Sequence, residues 1–412
     1  MEAVIPVDST PGALCYNSVH NKVYCARDDA RAFAVINGAS NQVVGKVVVE
    51  SLAMPMCYNH LADKFYCTLR LSSSIMVVDG SGDTALAVVP LSVPPFPGWG
   101  VVNLANNRVY GSCRGGVVVI DGAGDSVVAF VELGVTPCAL AYNPEDNLVY
   151  AALPYLDSVK TIDCRSDSIV ARAAVGQMPN NLCWDSIDNK VYCANVFDSS
   201  VTVLDGRTGV VLRKVVTDEG PQTLCWNFHN NKIYCANGFA GTVSVIDAVS
   251  DRVIATLTVG GFPHTLLYNP LNNKVYCAGS DSGVTVIGGD SDSVVCIIGV
   301  GHGTGHMVLN PEQNRVYVTD PTNNCVYVIR DSMTAVQESV PECLGPGLLH
   351  PSVVRTQVYW AGPGKGVVTN MAGQKVTELH VGVNDLSYLT PGVYFVSCPS
   401  RLSREKFIFP GR

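Results

Sequence analysis

Short apolar runs, some alternating and some continuous, follow one another along this chain, with polar breaks rich in Gly, Asn and Asp between them. One run, K-V-Y-C-A or a close variant, keeps returning, and its tyrosine serves as a ruler: Tyr24, Tyr66, Tyr110, Tyr150, Tyr192, Tyr234, Tyr276 and Tyr317, at spacings of 40 to 44 residues. Around each ruler the pattern predicts four strands. The first ends, in most copies on an aromatic, before an Asn or Asp (Asn17, Asn59, Asn103, Asn143, Asp185, Asn227, Asn269, Asn310), and a second Asx three residues before the ruler closes the turn (Asn21, Asp63, Asn107, Asn147, Asn189, Asn231, Asn273, Asn314). Short Asx side chains bond nearby backbone and tolerate left-handed conformations, which suits them to both places. The ruler run is the second strand, a β-branched run such as V-T-V-L-D the third, and one such as V-I-A-T-L-T-V the fourth. No segment carries helical periodicity. A repeat of this length built of four strands predicts a β-propeller blade, which cannot bury both faces alone and must stack on its neighbours. Eight copies are counted.

The first residues, A-V-I-P-V-D, align with the fourth strands of other repeats, such as A-V-V-P-L-S at 87–92. Two explanations stand: this strand completes the last blade, or the natural start lies upstream. Composition changes the picture only by exclusion. Of 412 residues 47% are hydrophobic and 15% charged, with 38 Gly and a net charge of -8. Mild acidity argues against nucleic acid or an anionic membrane as partner. No run reaches transmembrane length, and M-E-A-V-I-P-V-D-S-T-P-G has neither the basic nor the apolar region of a signal peptide.

With N-K-V-Y-C-A, the S-V-T-V-L-D type strand after it and the Pro-containing loop before each first strand, residues 1–332 resemble the YVTN family of β-propeller repeats. The resemblance implies a secreted or surface-bound propeller acting as a binding or scaffolding module; seven blades are common in that family. Residues 353–412, after a linker at 333–352, resemble the C-terminal sorting domain of type IX secretion cargo. The likeness lies in A-G-Q-K-V (372–376), N-D-L-S-Y-L-T-P-G-V-Y-F-V (384–396) and K-F-I-F (406–409). It implies a small β-sandwich read by the bacterial secretion machinery and an extracellular or cell-surface location. It also makes a truncated or misassigned start the preferred explanation for the missing signal peptide. In phase with the ruler, Pro346 and Tyr359 leave open a degenerate ninth repeat over 344–370.

The cysteines recur at fixed places. Cys15 and Cys25, Cys57 and Cys67, Cys183 and Cys193, Cys225 and Cys235 stand nine before and one after their rulers, which suggests pairs facing each other across a hairpin. Disulfides are one reading, in an oxidising compartment; small buried hydrophobes are the other, favoured because Cys277 has Leu267 in the partner position. The aspartates ending the third strands (Asp79, Asp121, Asp163, Asp205, Asp247) occur one per blade, which fits turn formation rather than paired-carboxylate chemistry.

Function is expected where the repeats differ, on the loops entering first strands and joining second to third. At twelve and eleven before the ruler these positions supply Asn180, Asn181, Gln222, Thr223, His264 and His306, a polar arc from consecutive blades, with Trp99 in an earlier one. Phe197, Asp198, Phe239, Asp281 and Asp320 are added as rim groups. His264, His302 and His306 are weak candidates for a metal; no cofactor is expected. The favoured function is non-catalytic binding of a protein, glycan or small polar ligand by a monomer. The alternative is a lactonase-like hydrolase with a metal or histidine site at the channel mouth.

Overall fold

The computed structural model describes residues 1–330 apart from 28–29, 50–52, 70–71, 281–282 and 302, and six strands between 357 and 409; side chains of 53–56 and 95–99 and those of nearly all the tail lie outside the description. The chain divides into two units, Met1–Met333 and Thr334–Arg412.

The first unit is an eight-bladed β-propeller. Each blade is a four-stranded antiparallel sheet; blade 1 consists of Pro11–Asn17, Lys22–Arg27, Ala32–Asn37 and Gln42–Val48. The last blade takes Met307–Asn310, Arg315–Asp320 and Cys325–Arg330 from one end of the unit and its outermost strand, Ala3–Pro6, from the other. The opening residues therefore close the ring, pairing Ala3 with Val328 and Pro6 with Cys325.

Local chemistry explains the blade. All eight Asx residues three before the ruler have φ between 50° and 60°, the left-handed region that Asn and Asp enter most readily among non-glycine residues. The third-strand aspartates are turn formers as expected: Asp79, Asp121, Asp163, Asp205 and Asp247 each accept a backbone N–H two or three residues on. Each ruler tyrosine is completely buried. Five of the hydroxyls donate to an aspartate in the next blade's third-to-fourth-strand turn: Tyr24 to Asp83 (2.6 Å), Tyr66 to Asp125 (3.2 Å), Tyr110 to Asp167 (2.7 Å), Tyr192 to Asp251 (2.9 Å) and Tyr234 to Asp292 (3.0 Å). Asp83, Asp125, Asp167, Asp251 and Asp292 also hold Lys22, Lys64, Arg108, Lys190 and Lys232, so five of the eight blade interfaces are bolted by a phenol and a cation sharing one carboxylate.

The cysteine pairing is corrected by the register. Cys15 stands opposite Tyr24, and Cys25 opposite Leu14; likewise Cys183 faces Tyr192 while Cys193 faces Leu182, and Cys225 faces Tyr234 while Cys235 faces Leu224. In the second blade Cys57 faces Tyr66 and Cys67 faces Pro55. A one-residue offset sends a side chain to the opposite face of a sheet, so the two thiols of each pair serve different blade interfaces. Cys15 joins the cluster with Phe65 and Cys67, whereas Cys25 joins that with Ile5 and Val326. All described cysteines are free thiols. Burial pushes the Cys15 and Cys225 thiols up to about 12, while Cys296 is exposed on the outermost strand Ser293–Ile298. Alkylation of the native protein followed by peptide mapping is expected to modify Cys296 at least about tenfold faster than Cys15, Cys193 or Cys235. Comparable rates would mean that these blade interfaces open freely.

In the second unit, Gly366–Asn370, Lys375–Leu379, Gly392–Ser397 and Arg404–Phe409 form an antiparallel four-stranded sheet, and Gln357–Trp360 pairs with Gly382–Asp385. Residues 357–360 and 366–370, part of the stretch considered for a ninth repeat, thus pair within this unit. The expected linker 333–352, residues 372–374 of A-G-Q-K-V and residues 386–391 of the longer motif lie outside the described residues.

Candidate functional site

The loops entering first strands and those joining second to third strands emerge on the same face of the ring, because successive strands are antiparallel. The polar arc expected there exists, but its side chains are engaged between blades. Asn180 Nδ2 donates to the Gln222 carbonyl at 2.9 Å, the Leu224 N–H donates to Asn181 Oδ1 at 3.1 Å, and Thr265 Oγ1 donates to the Gly305 carbonyl at 3.1 Å. These bonds cross the interfaces between blades 5 and 6 and between blades 7 and 8. They satisfy polar groups of the channel wall that would otherwise be costly to bury, so much of the arc's hydrogen-bonding capacity serves the ring itself.

His264 is half-buried, its Nδ1 3.0 Å from Thr265 Oγ1. Burial holds its imidazole below the usual histidine range and hence neutral at neutral pH. His306 is exposed, with its backbone N–H donating to Thr319 Oγ1. His302 and Asp281 lie outside the described residues, as does the side chain of Trp99. Among the described residues no group of three His, Cys, Asp or Glu side chains converges as a metal-ligand set. Asp198 is paired with Lys214 and accepts from Ser200; burial raises its carboxyl, but these two partners outweigh that and hold it below the usual range. Asp320 is buried and accepts the Thr322 and Asn323 N–H groups, a turn-forming role.

What the fold brings together is aromatic. Phe197, from the loop after the second strand of blade 5, stacks beside Phe239, its counterpart in blade 6, at 6.3 Å between centroids and 17° between planes. Phe239 lies 5.8 Å from Phe262, in the loop entering blade 7, and Phe262 lies 6.4 Å from the His264 ring. Four rings from three blades therefore form a continuous row. Their exposure is high for side chains of this size: 63% for Phe197, 53% for Phe239 and 38% for Phe262. Tyr155, at the corresponding loop position of blade 4, is 76% exposed. Glycines seat the rings. A Cβ on Gly220, whose φ is +72°, would come within 2.6 Å of the Phe239 ring, and one on Gly238 within 2.8 Å of Gln222 Cγ and 3.1 Å of Phe262. Only a residue without a side chain permits so close an approach.

No protein-family model matches this sequence. No curated protein matches it either. Among solved structures it is similar to Kuenenia stuttgartiensis hydrazine synthase, with a TM-score of 0.56 and 16% identity over 81% of this chain and 98% of that one. At that identity the likeness concerns the fold alone.

Phe197, Phe239 and the polar arc were found by repeat phase; Phe262 and Tyr155 were missed. Phe262 sits two residues before His264, outside the two aligned positions, whereas Tyr155, in a short 3₁₀ turn at Pro154–Leu156, stands five residues after its ruler as Phe197 and Phe239 do, so its phase was there to be read. The available signal was a large aromatic in a loop otherwise built of Gly and polar residues, as in G-G-F-P-H.

Proposed function

We propose that this chain is a non-catalytic binding module that takes a carbohydrate on its loop face, along the row Phe197, Phe239, Phe262 and His264. The exposed row carries the proposal. Solvent-facing aromatic rings fixed on a rigid ring of blades offer flat apolar surface at little conformational cost. Gln222, whose side chain lies with the Phe262 ring beside Gly238, brings amide chemistry to a ligand that is apolar on its faces and hydroxylated at its edges. Repeats of the YVTN type and a type IX sorting tail belong to the same proposal: the module acts outside the cell or on its surface and is exported through residues 353–412.

Soluble oligosaccharides titrated into the full chain by calorimetry test this reading. The Phe239→Ala variant is expected to weaken binding by about tenfold or more, corresponding to roughly 1.4 kcal/mol, while its melting temperature stays near that of the parent. Binding unaffected in both Phe239→Ala and Phe197→Ala would move the site away from the row. The hydrolytic alternative draws on one observation, the neutral, half-buried His264 beside Thr265, a base without a described acidic partner.

A further inference from the structure

On the opposite face of the ring, one hydrogen bond recurs between blades. The asparagine ending the first strand donates Nδ2 to the Asx side chain in the next blade's turn: Asn17 to Asp63 (3.1 Å), Asn59 to Asn107 (2.6 Å), Asn103 to Asn147 (2.7 Å) and Asn143 to Asn189 (2.9 Å). It continues with Asn227 to Asn273 (2.9 Å), Asn269 to Asn314 (2.7 Å) and, across the closure, Asn310 to Asn21 (2.8 Å). Seven interfaces are stitched in this way. The eighth, between blades 5 and 6, has Asp185 where the others have asparagine.

Asp185 is completely buried. Its Oδ1 keeps the asparagine's local role, accepting the Ile187 N–H at 2.7 Å and the Asp188 N–H at 3.4 Å. Its Oδ2, in the place of the donating amide nitrogen, is buried without a hydrogen-bond partner. The repeat supplies only acceptors for that place. Asn231, the Asx of blade 6, has its orientation set because Oδ1 accepts from Trp226 Nε1 (3.3 Å) and Nδ2 donates to Asp188 Oδ2 (2.8 Å). The Ala248 carbonyl corresponds to Gly80 and Gly206, which Asn17 and Asn143 reach; it accepts from Lys190 Nζ (2.7 Å) and Tyr192 Oη (3.3 Å). A carboxylate has nothing to offer these oxygens, whereas a carboxylic acid has one O–H.

We propose that Asp185 is a proton-operated latch between blades 5 and 6. Protonated at Oδ2, it donates to the Asn231 side chain and restores the eighth stitch; deprotonated, it leaves a buried, unpaired charge at that seam. The charged and titratable groups around it come from three elements. Cys183 shares its strand, and the Asp188 carboxylate in the adjoining turn favours the protonated form. Lys190, on the second strand, favours the carboxylate but is paired with Asp251 of blade 6 at 2.9 Å and 3.0 Å, and Tyr192 is neutral and donates to the same Asp251. Burial is the chief influence and pushes the Asp185 carboxyl up to about 6, against the two backbone bonds. Its pKa is therefore higher in the folded than in the unfolded chain. Stability from this group is full below the ordinary carboxylate value and is lost as pH rises through about 6. The latch acts on the two blades that present Phe197 and Phe239.

The test is thermal unfolding of the full chain and of Asp185→Asn between about pH 4.5 and about pH 8. Asparagine supplies the missing donor at every pH, so the variant is expected to melt higher than the parent by about 2–4 °C or more above pH 6, with the gap closing towards acid. A gap that is constant with pH, or a variant less stable throughout, would overturn the latch. A carbon-13 titration of the aspartate side-chain carboxyls in the unaltered protein reads the same group without mutation. A resonance lost in Asp185→Asn with a midpoint near pH 6 is expected; every carboxyl titrating below about pH 4.5 would overturn the proposal.

Discussion

Removing residues 2–7 is expected to unfold the ring rather than trim it. The strand Ala3–Pro6 is the outermost strand of blade 8, and the residues beside it reach into both the first and last blades. Ile5 and Val7 are buried at 3% and 5% exposure in a cluster that includes Val23 and Ile36 of blade 1 with Tyr317 and Val326 of blade 8. The Glu2 carboxylate pairs with Arg315, whose guanidinium also donates to the Ala39 carbonyl of blade 1 at 2.9 Å. That pairing holds the Glu2 carboxyl below its usual range. Losing two buried aliphatic side chains removes about 1.5–3 kcal/mol each. Leaving a buried guanidinium without its carboxylate removes a further amount of about 3 kcal/mol. The sum is comparable to the whole stability of a typical domain, about 5–15 kcal/mol. Circular dichroism melts and size-exclusion profiles are expected to show an expanded, non-cooperative chain; an unchanged melting temperature would contradict the closure.

The second large effect is expected at a ruler tyrosine. Tyr192 has no exposed surface and packs with Ala194, Val201, Leu224 and Ile233 across the interface between blades 5 and 6. Its hydroxyl donates to Asp251 at 2.9 Å. Tyr192→Ala empties a ring-sized volume and is expected to cost about 3–5 kcal/mol, read as a lower denaturant midpoint. Tyr192→Phe keeps the ring and loses only the hydroxyl. Because Lys190 still pairs with Asp251, the expected cost is about 1–2 kcal/mol. Equal losses in the two variants would mean that the hydrogen bond, not the packing, holds this interface.

Acid exposes a different sensitivity in each part of the ring. The Glu2–Arg315 pair weakens as pH falls through the lowered carboxyl of Glu2, whereas the Asp185 seam gains its missing donor over the same direction of change. The pH dependence of the difference between parent and Asp185→Asn isolates the second from the first, because both proteins share the closing pair.

The sequence by itself determined the blade. Tyrosine spacing, β-branched third strands and Asx residues before each ruler encode preferences realised within a few residues of each position. The left-handed turns at Asn21, Asp63 and Asn189 form as that local chemistry requires. Blade number followed from counting, and the alignment of A-V-I-P-V-D with fourth strands already offered the closure as one of two explanations. Tertiary structure decided everything that depends on register and on the rotation from one blade to the next. A one-residue offset separated Cys15 from Cys25 and placed them at different interfaces. The partner of Asn180 lies 42 residues away and that of Tyr24 lies 59 away, so whether these groups face a ligand or hold a neighbour was not written in their own loops. Phe197, Phe239 and Phe262 become one surface only when three blades are set side by side. Asp185 looks interchangeable with asparagine in a turn, where either side chain can accept a backbone N–H; only burial against a blade offering no donor makes its proton matter.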